Sequence, residues 1–581
     1  MRIIKNLCSS VFICGFVLLF AFSSPAQNQP KMSSRILLIP LDDRPPCLQF
    51  TVKMGLIGDA EVVTPPRELL GRFTEFGKSD EIIKWLRAQD LKSFDAAIVA
   101  LDMIAYGGLV ASRVHGETTA DDALKRVEIL RDLKKRQPKM PVYVQNVIMR
   151  LAPTGTGDNE FYRAQLAEWA EVSVETDAKS KARTEKLEQA IPAAALADYK
   201  KARARDLQIN LKAIDLVRDG TIDYLILSQD DAKPKGIHVA DRERLIGEIA
   251  KQNLSAKIAV QPGADEVSML LLARAMNKRF KFSPKIKAVY SSEEQANKAM
   301  PFEDRPLRET VSYHIKATGA QEVADEKQAD LLFYVYASRF ENGRAESFAN
   351  EIQAGMSKIV SLDEGIRQPR FDRGVIVADI DPKGDVQGGD PKFTKELRER
   401  LIFTHIYGYA SWNTAGNTIG TALPQGVIFA LANGKIIDSQ NMPTGNSAKV
   451  KQSLSQIERI DRAQTWFTIH RLLDDYAYHT PVRAEAKKFA ADKKWNTIRF
   501  TESQAREVEA FAREKVRGYF DETLYTVSPM AHRPYINLGC SEIKNYDFKL
   551  PWDRTFEAEI NFDLVCRQFV PERIKIRRLK K

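Results

Sequence analysis

The sequence contains little cysteine and little histidine, 5 and 7 residues respectively in a chain of 581. Only Cys47, Cys540 and Cys566 lie beyond the first 26 residues. Because the sequence has no C-x-x-C spacing and no histidine-rich cluster, we expect no metal, no cofactor and no extended disulfide framework. A single bridge between Cys540 and Cys566 stays open as an alternative to two free thiols.

Three nucleotide and nucleophile motifs are also missing. The sequence has no Walker A motif, no G-x-S-x-G elbow and no G-x-G-x-x-G after an apolar run. Basic residues outnumber acidic ones by 87 to 77, but the excess is dispersed, apart from the basic tail at 573–581. Such a tail is usually a solvated end, so we expect no nucleic-acid partner.

Long apolar runs are absent except near the start of the chain. Arg2 and Lys5 precede an apolar run from Val11 to Phe22, and Ser24 and Ala26 then form a small-x-small cleavage site. This layout predicts a signal peptide over residues 1–26, cut after Ala26, and export to the periplasm or beyond. An uncleaved anchor is the alternative. No other stretch is apolar enough to cross a bilayer, so we expect no membrane partner after cleavage.

Short apolar runs alternate with helical patterns through the first three quarters of the chain. The runs are Arg35–Pro40, Ala96–Leu101, Val142–Asn146, Tyr224–Gln229, Lys257–Pro262, Ile286–Tyr290, Leu331–Tyr336 and Gly374–Asp379. Continuous apolar runs of this kind are typical of buried parallel strands. Eight of them predict an α/β fold of the (β/α)8-barrel type, with an open doubly wound sheet as the alternative.

Two further regions depart from this alternation of apolar runs and helical patterns. Residues from about 158 to 218 form a helical excursion, in which Tyr162, Leu166 and Trp169 make a packing stripe. From about residue 440 the pattern becomes helical up to about Tyr519, and from Phe556 apolar and polar residues alternate as in a half-buried strand. We therefore predict a catalytic barrel domain at 27–439, followed by a C-terminal helical region at 440–581 with a small β element.

The strongest candidate for chemistry is the adjacent acidic pair Asp230 and Asp231, which directly follows the fourth predicted strand. Neighbouring residues on a strand point to opposite faces, so a kink is required for both side chains to reach one ligand. Their spacing suits a division of labour, in which one carboxylate holds the substrate and the other acts as general acid/base. The alternative is structural: Asp231 caps the next helix and Asp230 pairs with a nearby lysine.

Polar residues follow most of the other predicted strands as well. In both architectures considered, ligands bind at the carboxyl ends of the strands, so these side chains form a predicted substrate-binding rim. The segment containing Trp412 combines an aromatic face with amide and hydroxyl groups, a combination that binds sugar rings. The rim residues are Asp42, Asp43, Arg44, Asp102, Tyr106, Asn146, Arg150, Asp265, Asp379, Tyr407, Trp412, Asn413 and Asn417.

Several of these segments together resemble a bacterial family of unknown function, DUF4127. The resemblance rests on Ile39–Pro45, Leu101–Arg113, Ser228–Asp231 and Trp412–Asn417, and it extends over nearly the whole chain after residue 26. The family label implies no activity.

A second resemblance concerns only the acidic pair. An Asp-Asp pair after the fourth strand of a barrel is similar to substrate-assisted β-N-acetylhexosaminidases of the O-GlcNAcase and hyaluronidase-like type. In those enzymes the acetamido oxygen of the substrate attacks the anomeric carbon. The resemblance implies that Asp230 orients the acetamido group and that Asp231 is the acid/base. Tyr407, Trp412 and Asn413 would resemble the sugar-binding rim.

The sequence therefore favours an exported glycoside hydrolase acting on N-acetylhexosamine residues, with a carbohydrate as its partner. One alternative is a non-catalytic periplasmic glycan-binding or envelope-assembly protein. Another is a polysaccharide deacetylase or phosphoesterase, although such enzymes usually need a metal held by histidines and carboxylates. The oligomeric state stays open.

Overall fold

The computed structural model describes residues 32–356, 358–361, 367–370, 374–437, 448–528 and 537–569. The predicted signal peptide and the basic tail lie outside these residues. From Ser33 onward the chain forms one compact unit. None of the described helices is both long and apolar enough to span a membrane. The predicted boundary at residue 439 stays a prediction.

The strands, in chain order, are short and mostly apolar. They are β1 Ser34–Ile39, β2 Ala60–Val63, β3 Ala96–Ala100, β4 Val142–Ile148, β5 Tyr224–Gln229, β6 Ile258–Pro262, β7 Lys285–Tyr290, β8 Gln321–Glu322, β9 Leu331–Tyr336, β10 Lys358–Ser361, β11 Arg367–Arg370, β12 Gly374–Asp379, β13 Gly408–Ala410, β14 Asn537–Lys549 and β15 Glu559–Phe569.

The helices connect these strands and dominate the C-terminal third. They are α1 Gln49–Ile57, α2 Ser79–Ala88, α3 Leu101–Ala105, α4 Leu109–Ser112, α5 Ala120–Val127, α6 Ile129–Arg136, α7 Glu160–Val172, α8 Ala178–Ala190, α9 Ala193–Arg218, α10 Ile237–Lys251, α11 Val267–Arg279, α12 Glu293–Ala296, α13 Leu307–Ala317, α14 Arg344–Met356, α15 Pro391–Glu399, α16 Ala415–Leu431, α17 Ala448–Arg471, α18 Arg483–Asp492, α19 Glu502–Arg517 and α20 Phe520–Val527. A π-helical stretch, Leu472–Val482, joins α17 to α18.

All eight predicted strands are present, and the α/β class is confirmed. They belong to two parallel sheets, one ordered β2-β1-β3-β4-β5-β6 and the other β13-β12-β9-β7-β8. Within the described residues β6 and β7 are not paired, so the predicted (β/α)8 barrel is not confirmed. The short edge strand β2 was not predicted, and the acidic pair therefore follows the fifth strand of the chain instead of the fourth.

Two helices that are buried on nearly every side connect the two sheets. In α16 all but one residue is buried, and in α11 all but three are. A helix buried on all sides must pack against other elements on every face. An outer helix of a (β/α)8 barrel has one face against the barrel and the other exposed to solvent. Here α11 packs on β3 and β4 of the first sheet, α16 packs on β12 and β13 of the second, and the two helices pack on each other. Both sheets are therefore held together through these buried helices.

Helices lie in both regions where the sequence predicted them. The excursion at 158–218 contains α7, α8 and α9, and its stripe residues Leu166 and Trp169 are buried in a small core of their own. The C-terminal region begins with α17, which packs on α1. The alternating segment is strand β15, but it starts at Glu559 and not at Phe556. It pairs with β14 in an antiparallel hairpin.

A disulfide between Cys540 and Cys566 crosslinks this hairpin. The possibility left open by the sequence is thus decided in favour of the bridge. Cys47 is a free, buried cysteine. The crosslinked hairpin encloses the segment 550–558, several residues of which belong to the cavity described below.

Replacing both Cys540 and Cys566 with serine is expected to lower the free energy of unfolding by about 3 kcal/mol, because the bridge restricts a loop of 26 residues in the unfolded chain. Urea unfolding of the variant and the wild type measures the difference, with the Cys47→Ser variant as the control for loss of a thiol. Equal unfolding midpoints for the double variant and the wild type would contradict this prediction.

Candidate functional site

A cavity of about 490 Å³ opens where the carboxyl ends of strands from both sheets meet. The first sheet contributes the residues that follow β1, β4, β5 and β6, and the second contributes those after β12 and β13. Parallel sheets bind ligands at this edge, so the position agrees with the rule on which the rim was predicted. The predicted residues in its wall are Arg44, Arg150, Asp230, Asp231, Asp265 and Asn413.

Asp230 and Asp231 both reach this cavity, because β5 ends at Gln229 and the backbone leaves the regular strand there. Asp230 is buried and forms an ion pair with Arg113. Burial raises the pKa of Asp230, but the positive charges of Arg113 and Arg150 outweigh burial, and the pKa is lowered overall. Asp230 is therefore a carboxylate at neutral pH.

The side chain of Asp231 differs from its neighbour in both exposure and partner. It is 39% exposed, against 9% for Asp230, and it forms an ion pair with Arg150. The Nε of Arg150 donates to the carbonyl of Ala152 at 2.8 Å, which fixes the guanidinium beside the acid. The structural alternative, in which Asp231 caps the next helix, is wrong: α10 begins at Ile237 and has Gly236 at its N-cap.

Arg44 connects three parts of the chain in the wall of the cavity. Its guanidinium donates to Asp42 at 2.7 Å, to Asp265 at 2.6 Å and to Glu557 at 3.1 Å. Its carbon Cζ also lies 4.6 Å from the centre of the Trp552 ring. Asp42 is thus a support for Arg44 behind the wall.

Asp265 is the cavity carboxyl with the most perturbed titration. Burial, with a contribution from Asp42, raises its pKa to about 6, although Arg44 opposes the shift. Gly263 allows the turn that places Asp265 in the wall: its φ is +100°, and a Cβ there would lie 1.7 Å from Oε1 of Glu266. A carboxyl that is protonated near neutral pH can donate a proton.

A recess of about 30 Å³ continues from the cavity towards α16. Asn413 and Asn417 line it, and their side chains are joined at 2.6 Å. Asn417 in turn donates to Glu266 at 2.7 Å, which holds its amide in place. The backbone N–H of Gly416, at the start of α16, donates to Glu303 at 2.6 Å. The helix N-terminus is therefore already neutralised by a protein carboxylate.

Four predicted rim residues lie beneath the cavity wall instead of in it. Asp102 is fully buried, where its Oδ2 accepts from Asn146 at 3.2 Å and from the Val147 backbone at 3.0 Å. Tyr106 is 3% exposed. Asp43 is buried and accepts from the Trp552 indole at 2.7 Å. These groups support the wall, and the prediction that they contact substrate is corrected.

Three predicted residues of the second sheet are also placed away from the cavity. Trp412 is 3% exposed, donates to Thr421 at 3.0 Å and packs edge-on against Phe50, so its ring cannot stack on a sugar. Tyr407 packs against Phe429 in the core. Asp379 is buried and accepts from the Asp390 backbone at 2.7 Å, and burial raises its pKa to about 7.

The cavity also contains residues that the sequence reasoning did not select. Arg113 stands in a segment that was singled out, and the need to neutralise a buried acid could have identified it. The others come from the start of α7, from loops and from the C-terminal third, for which no local pattern gave a signal. These residues are Arg113, Arg163, Phe302, Gln387, Lys487, Trp552, Arg554 and Phe556.

Left-handed backbone geometry is concentrated around the cavity. Phe302, Gln387, Asn413 and Trp552 all line it, and their φ values are +67°, +55°, +53° and +62°. This conformation is costly for residues with a side chain, above all for bulky ones, and it persists where the surrounding structure enforces it. Such strain tends to occur at functional sites. Within the described residues no group of histidine, cysteine and carboxylate side chains is arranged to hold a metal ion.

Asp102 generates a prediction about pH dependence. Burial raises its pKa to about 6, so between pH of about 4 and 6 the folded protein holds a proton that the unfolded chain has released. The free energy of folding that the protonated Asp102 carboxyl contributes is therefore lost as the pH rises through this range. We expect the free energy of unfolding of the wild type, relative to Asp102→Asn, to fall by roughly 3 kcal/mol from pH 4 to pH 7.

Urea unfolding at a series of pH values measures this difference. Asn can present its oxygen to the same donors, so the variant keeps the hydrogen bonds of Oδ2. If the free energies of unfolding of the two proteins change with pH in parallel, Asp102 has the same pKa in the folded and unfolded states, and the prediction is wrong.

Residues 36–561 match a family described as a protein of unknown function, DUF4127. The matched range contains all strands of both parallel sheets except the first two residues of β1, and every residue that lines the cavity. No curated protein matches the sequence. The chain belongs to the DUF4127 family.

Proposed function

We propose that this protein is a glycoside hydrolase that uses Asp230 and Asp231 in different roles. One observation carries the proposal: two adjacent carboxylates reach the same cavity, yet one is buried and the other is half exposed, and each is held by its own arginine. Two acids with different environments are what acid-assisted cleavage of a glycosidic bond requires.

The roles follow from the surroundings of each group. Asp230 has a lowered pKa and a fixed position, which suits a permanent carboxylate that orients or polarises the substrate. In a substrate-assisted mechanism it would hold the acetamido group of an N-acetylhexosamine while the acetamido oxygen attacks the anomeric carbon. Asp231 is exposed to the cavity and would protonate the leaving oxygen, then accept a proton from water. Arg150 must release Asp231 for that step, since an arginine ion pair stabilises a carboxylate.

Asp265 is a second candidate for the proton donor. It lies in the wall of both the cavity and the recess, and its raised pKa of about 6 leaves part of the population protonated near neutral pH. Its position beside Arg44 is fixed by two hydrogen bonds. Mutation and the pH dependence of turnover distinguish Asp231 from Asp265 as the proton donor.

The remaining wall offers groups that suit a sugar. Asn413 presents an amide beside the recess, and the Phe302 side chain supplies an aromatic surface at the cavity, with the residue 47% exposed. We propose that Phe302 takes the sugar-stacking role expected of Trp412. We further propose that the protein is exported, on the basis of residues 1–26. A non-catalytic glycan-binding protein is the competing function.

Asp231→Asn is expected to reduce hydrolysis of an aryl N-acetyl-β-hexosaminide by at least about 100-fold, because general acid/base catalysis contributes on that order. Release of the aryl alcohol from β-N-acetylglucosaminide and β-N-acetylgalactosaminide measures it. Asp219→Asn is a matched control, since Asp219 is 34% exposed, pairs with Arg131 and does not line the cavity. Hydrolysis that survives in folded Asp231→Asn would remove Asp231 as the acid/base. Sugar binding without hydrolysis in the wild type would favour the binding protein.

If Asp265 is the proton donor, turnover by the wild type is expected to fall as the pH rises through about 6, where Asp265 loses its proton. Asp265→Asn then abolishes turnover, whereas Asp231→Asn keeps measurable activity with the same decline. The pH dependence of kcat/KM for the wild type and both variants provides the measurement. Activity retained by Asp265→Asn would leave Asp265 as a support for Arg44.

A further inference from the structure

We infer that the ligand of this cavity carries an anionic substituent, such as a carboxylate, a sulfate ester or a phosphate ester, which binds at Lys487. The inference rests on the proposed function for its sugar scaffold, and it identifies the class of substrate.

The wall has more cationic than acidic side chains. Four carboxylates line it, those of Glu160, Asp230, Asp231 and Asp265. Against them stand six cations, namely Arg44, Arg113, Arg150, Arg163, Lys487 and Arg554. Most of these six cations have a carboxylate partner.

The arginines on the floor and beside Trp552 are paired. Arg113 and Arg150 each hold one acid of the Asp230–Asp231 pair. Arg44 is shared by three carboxylates, and Arg554 donates to Glu557 at 2.6 Å. This part of the cavity is therefore close to neutral and offers no spare cation to a ligand.

Lys487 differs from these arginines. It projects from α18 into the cavity wall, and it forms no ion pair with any carboxylate of the described residues. Lys487 is an exposed residue, and its pKa is lowered, first by partial burial and then by the positive charge of Arg483. Both causes act in the direction expected for an ammonium group that lacks a counter-ion.

Arg483 adds a second positive charge behind the same wall. It is buried, and within the described part of the chain its guanidinium contacts no carboxylate. It donates to the Val386 carbonyl at 2.5 Å, and it lies near the Phe556 carbonyl at 3.5 Å. The residue after Val386 is Gln387, which lines the cavity, as do Lys487 and Phe556. Arg483 thus adds positive charge behind this wall, and Glu557 and Asp474 offset part of it.

Arg163, in the first turn of α7, is a further cation of the cavity wall. Its guanidinium lies 4.0 Å from Glu160, at the limit of an ion pair, and its Nε donates to the Pro153 carbonyl at 2.9 Å. A substrate lying with its scissile bond over Asp230 and Asp231 would share the cavity with Lys487 and Arg163. An anionic group on the sugar would complete the ion pair that Lys487 lacks.

The experiment measures binding and does not depend on turnover. Wild-type protein is titrated calorimetrically with N-acetylglucosamine, its 6-sulfate, its 6-phosphate and glucuronic acid, at low and at high salt. We expect at least one anionic sugar to bind about tenfold more tightly than neutral N-acetylglucosamine, with a preference that weakens in salt. The three anionic ligands show whether the group is a sulfate, a phosphate or a carboxylate.

Lys487→Gln is expected to remove this preference, so that the anionic sugar binds no more tightly than the neutral one. Lys488→Gln is the matched control, because Lys488 is the neighbouring residue, is 75% exposed and pairs with Asp492. Equal binding of neutral and anionic sugars, no binding of any of the four, or equal losses in the two variants would overturn the inference. Binding of an anionic sugar with no hydrolysis of any glycoside would contradict the hydrolase proposal but support the anionic subsite.

Discussion

The buried guanidinium of Arg44 is the contact on which the cavity depends. It joins Asp42 after β1, Asp265 after β6 and Glu557 near the C-terminal hairpin, and Glu557 lies 513 residues from Arg44 in sequence. A buried arginine without partners is strongly destabilising, and so is a buried carboxylate. All four groups must therefore be in place together, and this requirement fixes the C-terminal segment against the edge of the first sheet.

The second constraint is the pair of buried helices α11 and α16. Because both are buried on nearly all sides and pack on each other, they hold the two parallel sheets in one core and bring the carboxyl ends of strands from both sheets to one cavity. The polar loops at those ends contribute acids from one sheet and amides from the other. A wall that closes against α18 and the segment 550–558 then shields the floor from water, which strengthens every charge interaction inside.

In and beneath that wall, identical side chains acquire different properties. Asp230, Asp265 and Asp102 are all aspartates near strand ends, yet the pKa of Asp230 is lowered by Arg113 and Arg150, while burial dominates for the other two. The balance between desolvation and a nearby guanidinium decides each case. Lys487, which lacks such a partner among the described residues, is the unbalanced charge in this arrangement, and it is the basis for assigning an anionic ligand.

Sequence alone determined the features that depend on local periodicity and on strand ends. The eight apolar runs predicted the strands because strands buried on both faces need continuous apolar residues, and the residues after them predicted the Asp230–Asp231 site. Other features required the tertiary structure. Two sheets form instead of one barrel, Trp412 is in the core and not on the rim, and Lys487 and Trp552 reach the cavity from the C-terminal third. Which side chains meet, and which charges are neutralised, depends on contacts between residues hundreds of positions apart, and no local pattern encodes those distances.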